Sequence, residues 1–387
     1  MRKICIVITA RPSYSRVKSA LQAIQHHPDL QLQLVAAASA VLDRYGNVAD
    51  QIEKDGFQLD ARVSMVIEGE NAASMAKTTG LGIIELASVF DNLKPDVVLS
   101  IADRYETLAT AIAATFMGIP LVHLQGGEIT GSIDERVRHA VTKLADLHLT
   151  ASTTAARRVI RMGEDPSTVF STGCPSIDLV AAALADPQGP TLSIDDLGGV
   201  GADVDLSEPF VIVMLHPVTS EVEKARHQVE TVLRAVVDAS LPALWFWPNV
   251  DAGSDGTSRG IRHFREMNST SPIRFIKNLP PEDFIRLLAR SSAIIGNSSV
   301  AIRECAFIGV PAVNIGSRQS GRDRGKNVMD VEFNVDEIVD AIRTQTQSPA
   351  PRSEHLYGEG DAGERIAEIV AQHQFTRQKR LVFQKEG

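Results

Sequence analysis

The chain has 387 residues, 44% of them hydrophobic and 22% charged, with a net charge of −9. That length exceeds one ordinary core and suits two domains, and the composition excludes a disordered chain. The acidic balance argues against a general nucleic-acid binder, so an anionic ligand needs local positive charge. The three cysteines, Cys5, Cys174 and Cys305, are widely separated and lack metal-ligand spacing; they read as free thiols in a reducing compartment. The opening MRKICIVIT moves directly into a strand without a signal-peptide apolar region. The longest apolar run, Leu108 to Val122, is broken by Gly118 and Pro120 and is no membrane span. A soluble, cytoplasmic protein is expected.

Residues 3–9 form a buried strand, followed by a polar turn and a helix over Ser13 to His26. Leu32 to Ala37 is the next strand, helices follow near 41–56 and 71–92, and Val97 to Ile101 is a strand. A helix over Tyr105 to Met117, a strand over Pro120 to Leu124, a helix over 133–145 and a short strand over Leu147 to Thr150 continue the alternation. This pattern implies a mostly parallel sheet covered on both faces. The stretch ADPQGPTLSIDDLGGVGADVDLSE is rich in Gly, Pro and Asp and reads as an interdomain connection. The alternation restarts with strand Phe210 to Leu215, helix Glu221 to Ala239 and strand Ala243 to Trp247. A long loop, a helix at 281–290 and strand Ala293 to Ile295 follow. A helix over Val300 to Ile308 closes at Gly309 and Pro311, and Ala312 to Ile315 is a strand. Residues 334–346 and 362–373 are helical, the latter a closing element. The expected division is 1–185 for an N-terminal Rossmann-like domain, 186–208 for the linker, 209–365 for a C-terminal domain and 366–387 for a closing helix.

Polar groups gather at the carboxyl ends of these strands, where doubly wound sheets bind ligands. Arg11 follows the first strand, with Ser15 and Arg16 near the start of the first helix; two guanidinium groups there can clamp a diphosphate. Asp103 and Arg104 follow the strand VVLSI, where the carboxylate is either a base or a helix cap. The segment HLQGGEITGSIDE holds two glycines that permit close ligand approach, and it brings His123, Glu128 and Asp134 into one loop. Acid–base chemistry needs such groups with separated pKa values, although Asp134 can also cap the next helix. His216 and Asn249 occupy two further strand ends. At Gly296-Asn297-Ser298-Ser299 the helix start offers free N–H groups and hydroxyls to an anion, or Ser298 serves as an N-cap. Glu304, about one and a half turns on, can accept two hydrogen bonds from a ribose diol. The loop SRQSGRDRGKN carries Arg318, Arg322, Arg324 and Lys326, either as a solvated run or as the local positive charge a nucleotide diphosphate needs. Two pattern matches fail on context: Gly256 to Gly260 fits the hydrolase elbow but lacks a strand directly before it, and Gly358 to Gly363 fits a dinucleotide fingerprint but follows no strand. Both read as loops.

Several segments taken together, RPSYSR, LDRYGN, ADRYETLA, GGEITGSIDERVRHAVTKLA, GCPSID, HPVT, PNVDAGS, GNSSVAIRE and GSRQSGR, resemble the hydrolysing UDP-N-acetylglucosamine 2-epimerases. The resemblance spans roughly Lys3 to Val370. It implies an α/β fold like glycosyltransferase type B, with two doubly wound Rossmann-like domains facing a central cleft. It implies no cofactor and no metal, and a dimer or tetramer. By matching motif, Arg11, Ser15, Arg104, His216, Asn249, Ser298, Ser299, Glu304 and Arg318 would hold UDP or its diphosphate. Asp103, Asp134 and a carboxylate of the HLQGGE loop would move protons, with His216 a further proton-transfer group. Relatives place Glu where this chain has Gln125; either Glu128 takes that role here or Gln125 positions a water. Arg16 stands where relatives often have Lys. The expected reaction converts UDP-N-acetylglucosamine and water to N-acetylmannosamine and UDP for sialic acid synthesis. The alternatives are the same reaction on UDP-2,4-diacetamido-2,4,6-trideoxyglucose, a type-B glycosyltransferase, or a non-catalytic nucleotide-sugar sensor.

Overall fold

A computed structural model describes residues 1–42, 48–68, 72–101, 104–129, 133–186, 189–190, 192–218, 221–248, 254–277, 279–376 and 379–382. The chain forms two compact units. Unit 1 comprises Met1–Ile129, Ile133–Asp178 and the stretch from Tyr357 onward; unit 2 contains Leu179–Leu356.

Unit 1 holds seven strands: β1 (Arg2–Ile8), β2 (Leu30–Ala37), β3 (Ala61–Val63), β4 (Val97–Ile101), β5 (Leu121–Leu124), β6 (Leu147–Thr150) and β7 (Val169–Ser171). Their order is β3-β2-β1-β4-β5-β6-β7, and every neighbouring pair is parallel. The apolar run of β1 is explained by this placement, since a central parallel strand is covered on both faces. Ile4, Ile6 and Ile8 face one core cluster, and Cys5 and Val7 face the other. Strand order reverses between β1 and β4, so their carboxyl ends flank the switch point of the sheet.

Unit 2 repeats the plan with β8 (Val200–Gly201), β9 (Val211–Met214), β10 (Ala243–Phe246), β11 (Ile273–Ile276), β12 (Ala293–Gly296), β13 (Ala312–Ile315) and β14 (Val328–Val331). The order is β14-β13-β12-β9-β10-β11-β8, parallel except for β8. Here the switch point lies between β9 and β12. Trp245 and Phe275 fill the core beneath, and burying each such ring contributes about 1.5–3 kcal/mol.

Several expectations are corrected. The long loop after Trp247 contains helix Ser254–Met267 and strand β11. The Gly256 to Gly260 match therefore lies in a helix: Gly260 approaches Val229 of helix Ala225–Asp238, so the glycine serves packing. The stretch 186–208 is more than a connection, because helix Ile194–Leu197 and β8 belong to unit 2, with β8 paired to β11. The expected helix Val300 to Ile308 is a 3-10 turn over Ser299–Ala301 followed by helix Glu304–Ile308, so Glu304 opens that helix. Helix Ala362–Gln372 packs into the unit 1 core through Ile366, Ala367 and Val370, and the described residues 379–382 beyond it are not helical. Among the described residues no helix is long and apolar enough to cross a membrane.

Candidate active site

In unit 2 the site is built around Asn297, which follows β12 and is fully buried. Its side-chain oxygen accepts the His216 backbone N–H at 2.8 Å, and its amide nitrogen donates to the His216 carbonyl at 2.8 Å. This reciprocal pair joins the two strand ends across the switch point. The Asn297 carbonyl in turn accepts from Arg318 Nη1 at 3.0 Å and Gln319 Nε2 at 2.9 Å. One neutral residue thus positions both the histidine and the arginine. The preceding Gly296 has φ +132, and a Cβ there would lie 2.2 Å from the Met214 carbonyl oxygen, so only glycine lets β12 end here.

His216 is buried, and its Nδ1 has no hydrogen-bond partner in the structure. Burial, reinforced by the charge of Arg318, pushes the imidazole down to about 3. The neutral imidazole is therefore the favoured form at physiological pH. Ser298 Oγ accepts the Val300 N–H at 3.4 Å and caps the 3-10 turn, and Ser299 is half-buried beside it. Both alternatives for Ser298 stay compatible, since a hydroxyl that accepts from the backbone still has a proton to donate. Glu304 is half-buried, and its Oε2 is enclosed without a partner, an acceptor awaiting a donor. Within the basic loop, Arg324 is occupied by Asp330 and by the Gln319 carbonyl, so it braces the loop. Arg318 is a half-buried charge next to the switch point.

In unit 1 Arg11 opens the short helix Arg11–Ser15 after β1 and is exposed. The turn is held from behind: Tyr14 Oη donates to Asp55 at 2.5 Å, and Lys18 pairs with the same carboxylate at 2.9 Å. Burial tends to raise the Asp55 carboxyl, but hydrogen bonds from Tyr14, Lys18 and Gln51 outweigh it and hold it below its usual range. Ser15 donates to the Pro12 carbonyl at 3.2 Å. Arg104, across the switch point after β4, contacts Glu106 at 3.3 Å. Asp103, like Asn249 in unit 2, lies outside the described residues.

The loop after β5 is tightly packed. Gln125 is 2% exposed and adopts φ +65, an uncommon conformation for a non-glycine residue. Its Nε2 donates to Cys174 Sγ at 3.1 Å. Gly127 has φ +79 and runs so close to the Ala155 carbonyl that a Cβ would sit 2.3 Å from its oxygen. Glu128 is buried and its carbonyl accepts from Arg138 Nη1 at 2.6 Å, while Asp134 sits half-buried in the first turn of helix Ile133–Leu144. His123 leaves the candidate chemistry: it is fully buried in β5, with Nδ1 3.1 Å from Thr142 Oγ1. The topology puts Arg11, Arg104, Gln125 and Glu128 on the adjacent carboxyl ends of β1, β4 and β5. In unit 2 it puts His216, Ser298, Glu304 and Arg318 around β9, β12 and β13. Sequence reading missed Asn297 as the organising residue, although a Gly-Asn pair ending an apolar strand is the signal that could have found it.

The model of the UDP-N-acetylglucosamine 2-epimerase family matches residues 22–371. A hydrolysing UDP-N,N'-diacetylbacillosamine 2-epimerase from Legionella pneumophila is 33% identical over 370 residues, covering 96% of each chain. Polysialic acid biosynthesis protein P7 of Escherichia coli is 31% identical, covering 88% of this chain and 85% of its own. Among solved structures, the S. aureus MnaA–UDP complex superposes with a TM-score of 0.80 at 19% identity, over 99% of this chain and 100% of that one. The Neisseria meningitidis UDP-GlcNAc 2-epimerase bound to UDP-GlcNAc gives 0.77 at 16% identity, over 96% and 100%. Both likenesses bear on the fold, which is of the glycosyltransferase-B-like α/β type. Two switch-point sites on two doubly wound sheets, and a family match across most of the chain, lead to one statement: this chain belongs to the UDP-N-acetylglucosamine 2-epimerase family.

Proposed function

We propose that the protein is a hydrolysing 2-epimerase that converts UDP-N-acetylglucosamine and water to N-acetylmannosamine and UDP. The observation that carries this reading is the Asn297 hub, which holds His216 and Arg318 at the unit 2 switch point beside the open acceptor of Glu304. A diphosphate needs fixed donors and a ribose needs a fixed acceptor, and this half supplies both. In the first step Asp103 or Asp134 takes the proton at carbon 2 while the carbon 1–oxygen bond breaks. The electron pair forms the ring double bond and UDP leaves; the family resemblance assigns its charge to Arg11, Arg104, Arg318 and the Ser298–Ser299 turn. Asn249 is assigned to the nucleotide. Fixed charge aimed at a leaving group is commonly the largest catalytic term, and one lost donor costs about 100- to 1000-fold in rate. In the second step water adds its hydroxyl to carbon 1 and a proton to carbon 2 from the opposite face. Gln125 cannot be a base; Glu128 or a water held by Gln125 fills that place.

Turnover in deuterated water tests the path by NMR: the expected product is a free 2-acetamido-mannose sugar with deuterium at carbon 2, and product without deuterium there overturns it. Free sugar and UDP are expected with no acceptor present, which separates this reading from a glycosyltransferase. A second donor is favoured by a specific finding, the 33% identity to the Legionella enzyme named for UDP-N,N'-diacetylbacillosamine. Its ring differs at carbons 4 and 6, and comparing kcat/KM for the two donors chooses between them. The product would supply sialic acid synthesis in the first case and a diacetamido relative in the second.

A further inference from the structure

The chain leaves unit 1 at Asp178 and re-enters it at Tyr357. Both passages meet in one knot. The Cys174 N–H donates to the Tyr357 carbonyl at 2.7 Å, and a Cβ on Gly173 would lie 2.9 Å from the Cα of Gly358. Asp178 accepts three hydrogen bonds there: from Ala362 N–H at 2.9 Å, Gly363 N–H at 2.7 Å and the Ser19 hydroxyl at 2.7 Å. Ser19 lies in the first turn of helix Lys18–His26, three residues beyond Arg16. Gly363 rests on it so closely that a Cβ would be 2.7 Å from the Ser19 carbonyl oxygen. Past this contact, Ile366, Ala367 and Val370 share a core with Ala20, Leu21 and Ile24. The same knot reaches the loop after β5, because Cys174 Sγ receives the amide of Gln125.

We infer that Asp178 is a positioning residue for the turn Arg11–Arg16, fixing the start of the helix behind it through Ser19 and locking both to the returning chain. This rests on the reading that Arg11 and Ser15 meet the diphosphate. A carboxylate suits the place because all three neighbours are donors, and an amide would turn one nitrogen donor toward them. Burial raises the Asp178 carboxyl above its usual range, and the three donors limit that rise. Without the pin, the Arg11 turn loses its fixed angle at the switch point, and misplacement on the order of 1 Å can cost about a hundredfold in rate.

The test compares Asp178→Asn and Ser19→Ala with wild type, measuring the UDP Kd by calorimetry and KM against kcat with the sugar donor. Ser19→Ala spares the bonds from Asp178 to Ala362 and Gly363, so it cuts the link without uncapping the C-terminal helix. Asp178→Asn is expected to raise the UDP Kd about tenfold and Ser19→Ala about threefold, with kcat/KM falling by at least those factors, as for lost positioning of a group that also meets leaving-group charge. Glu164→Gln, a destabilising change far from these strand ends, is the control and should leave Kd as in wild type. If either knot variant lowers the melting temperature while Kd stays at the wild-type value, the role is structural only and the inference fails. Because UDP binding is read without turnover, a wild-type protein that binds UDP but releases no sugar overturns the epimerase reading and leaves this comparison intact.

Discussion

Two polar clusters of this protein answer burial in opposite ways. Beside the amino ends of β6 and β7, Glu164 is 3% exposed and meets Lys143 and Lys379 at 2.5 Å each and His148 Nε2 at 3.0 Å. Charge there is saturated: Lys379 also reaches the carbonyls of Thr142 and Ala145, and Lys143 that of Met162. At the carboxyl ends of β9 and β12, Asn297 satisfies the backbone completely, yet His216 Nδ1 and Glu304 Oε2 stay without partners. A cluster built for stability pairs its own charges, even though the buried His148 Nδ1 is left without a partner there. On the reading proposed above, the unit 2 cluster holds its scaffold rigid and leaves these two bonds open for a ligand.

The largest way to break this contrast is Asn297→Ala. It removes two bonds to His216 and exposes the remaining backbone groups to burial without partners, so stability should fall by about 2–4 kcal/mol in chemical denaturation. kcat/KM should fall at least about 100-fold, because His216 loses its anchor, while the main-chain carbonyl that Arg318 meets is kept. A variant with near-normal kcat/KM would remove Asn297 from the site. Glu164→Gln tests the opposite cluster: it should cost about 3 kcal/mol, since two ammonium groups lose a buried partner, with kcat/KM unchanged below the melting point. Burial would raise Glu164, but His148, Lys143 and Lys379 hold it down at about 2, from an ordinary 4.5. Its contribution is therefore full above about pH 4.5 and is lost as pH falls toward 2, and the Gln variant should lack that acid slope.

Much of this architecture is legible in the chain. The apolar runs at β1, β4, β5, β9, β10 and β12 are long and buried on both faces, and each ends in a polar turn, so strands and switch points can be read together. Strand β3 is three residues with an exposed middle position, and β8 is a two-residue edge strand of Val and Gly; neither has a pattern to read. Helix Ser254–Met267 was hidden by its glycines, Gly256 and Gly260, which buy close packing against Ala225 and Val229 at the expense of helix propensity. At the site, residue types at strand ends were visible, but partnership was not. That Asn297 binds His216, 81 positions away, depends on β9 and β12 being neighbours, which spacing alone does not reveal. The same holds for Asp178 and Gly363.

Glu304→Gln sharpens the binding side of the contrast. If the enclosed Oε2 waits for a ribose hydroxyl, the amide presents a donor where an acceptor is needed, and the UDP Kd should rise about tenfold. The melting temperature of the free protein should hold or rise, because no bond made by Oε2 in the free protein is lost. An unchanged Kd would assign Glu304 to local structure.

The smallest effect is a pH dependence that should be missing. A histidine at a phosphate-facing strand end invites the reading that it is a cation or a general acid. Burial first, and then the Arg318 charge, set His216 at about 3, so it carries no charge between pH 5.5 and 8. The kcat/KM profile in that interval should therefore contain no limb belonging to His216, and His216→Gln should lower the plateau without changing its shape. The stability sign is fixed by the same shift. The unfolded imidazole binds a proton below about 6.5 and the folded one only near 3, so this contribution is full above pH 6.5 and declines as pH falls through that range. Arg318→Gln removes one of the two causes and should end that decline at a higher pH, with its onset unchanged. A limb near pH 6 to 7 that disappears in His216→Gln would mean that the imidazole is charged in the working enzyme, and that the open bond at Nδ1 is where its proton goes.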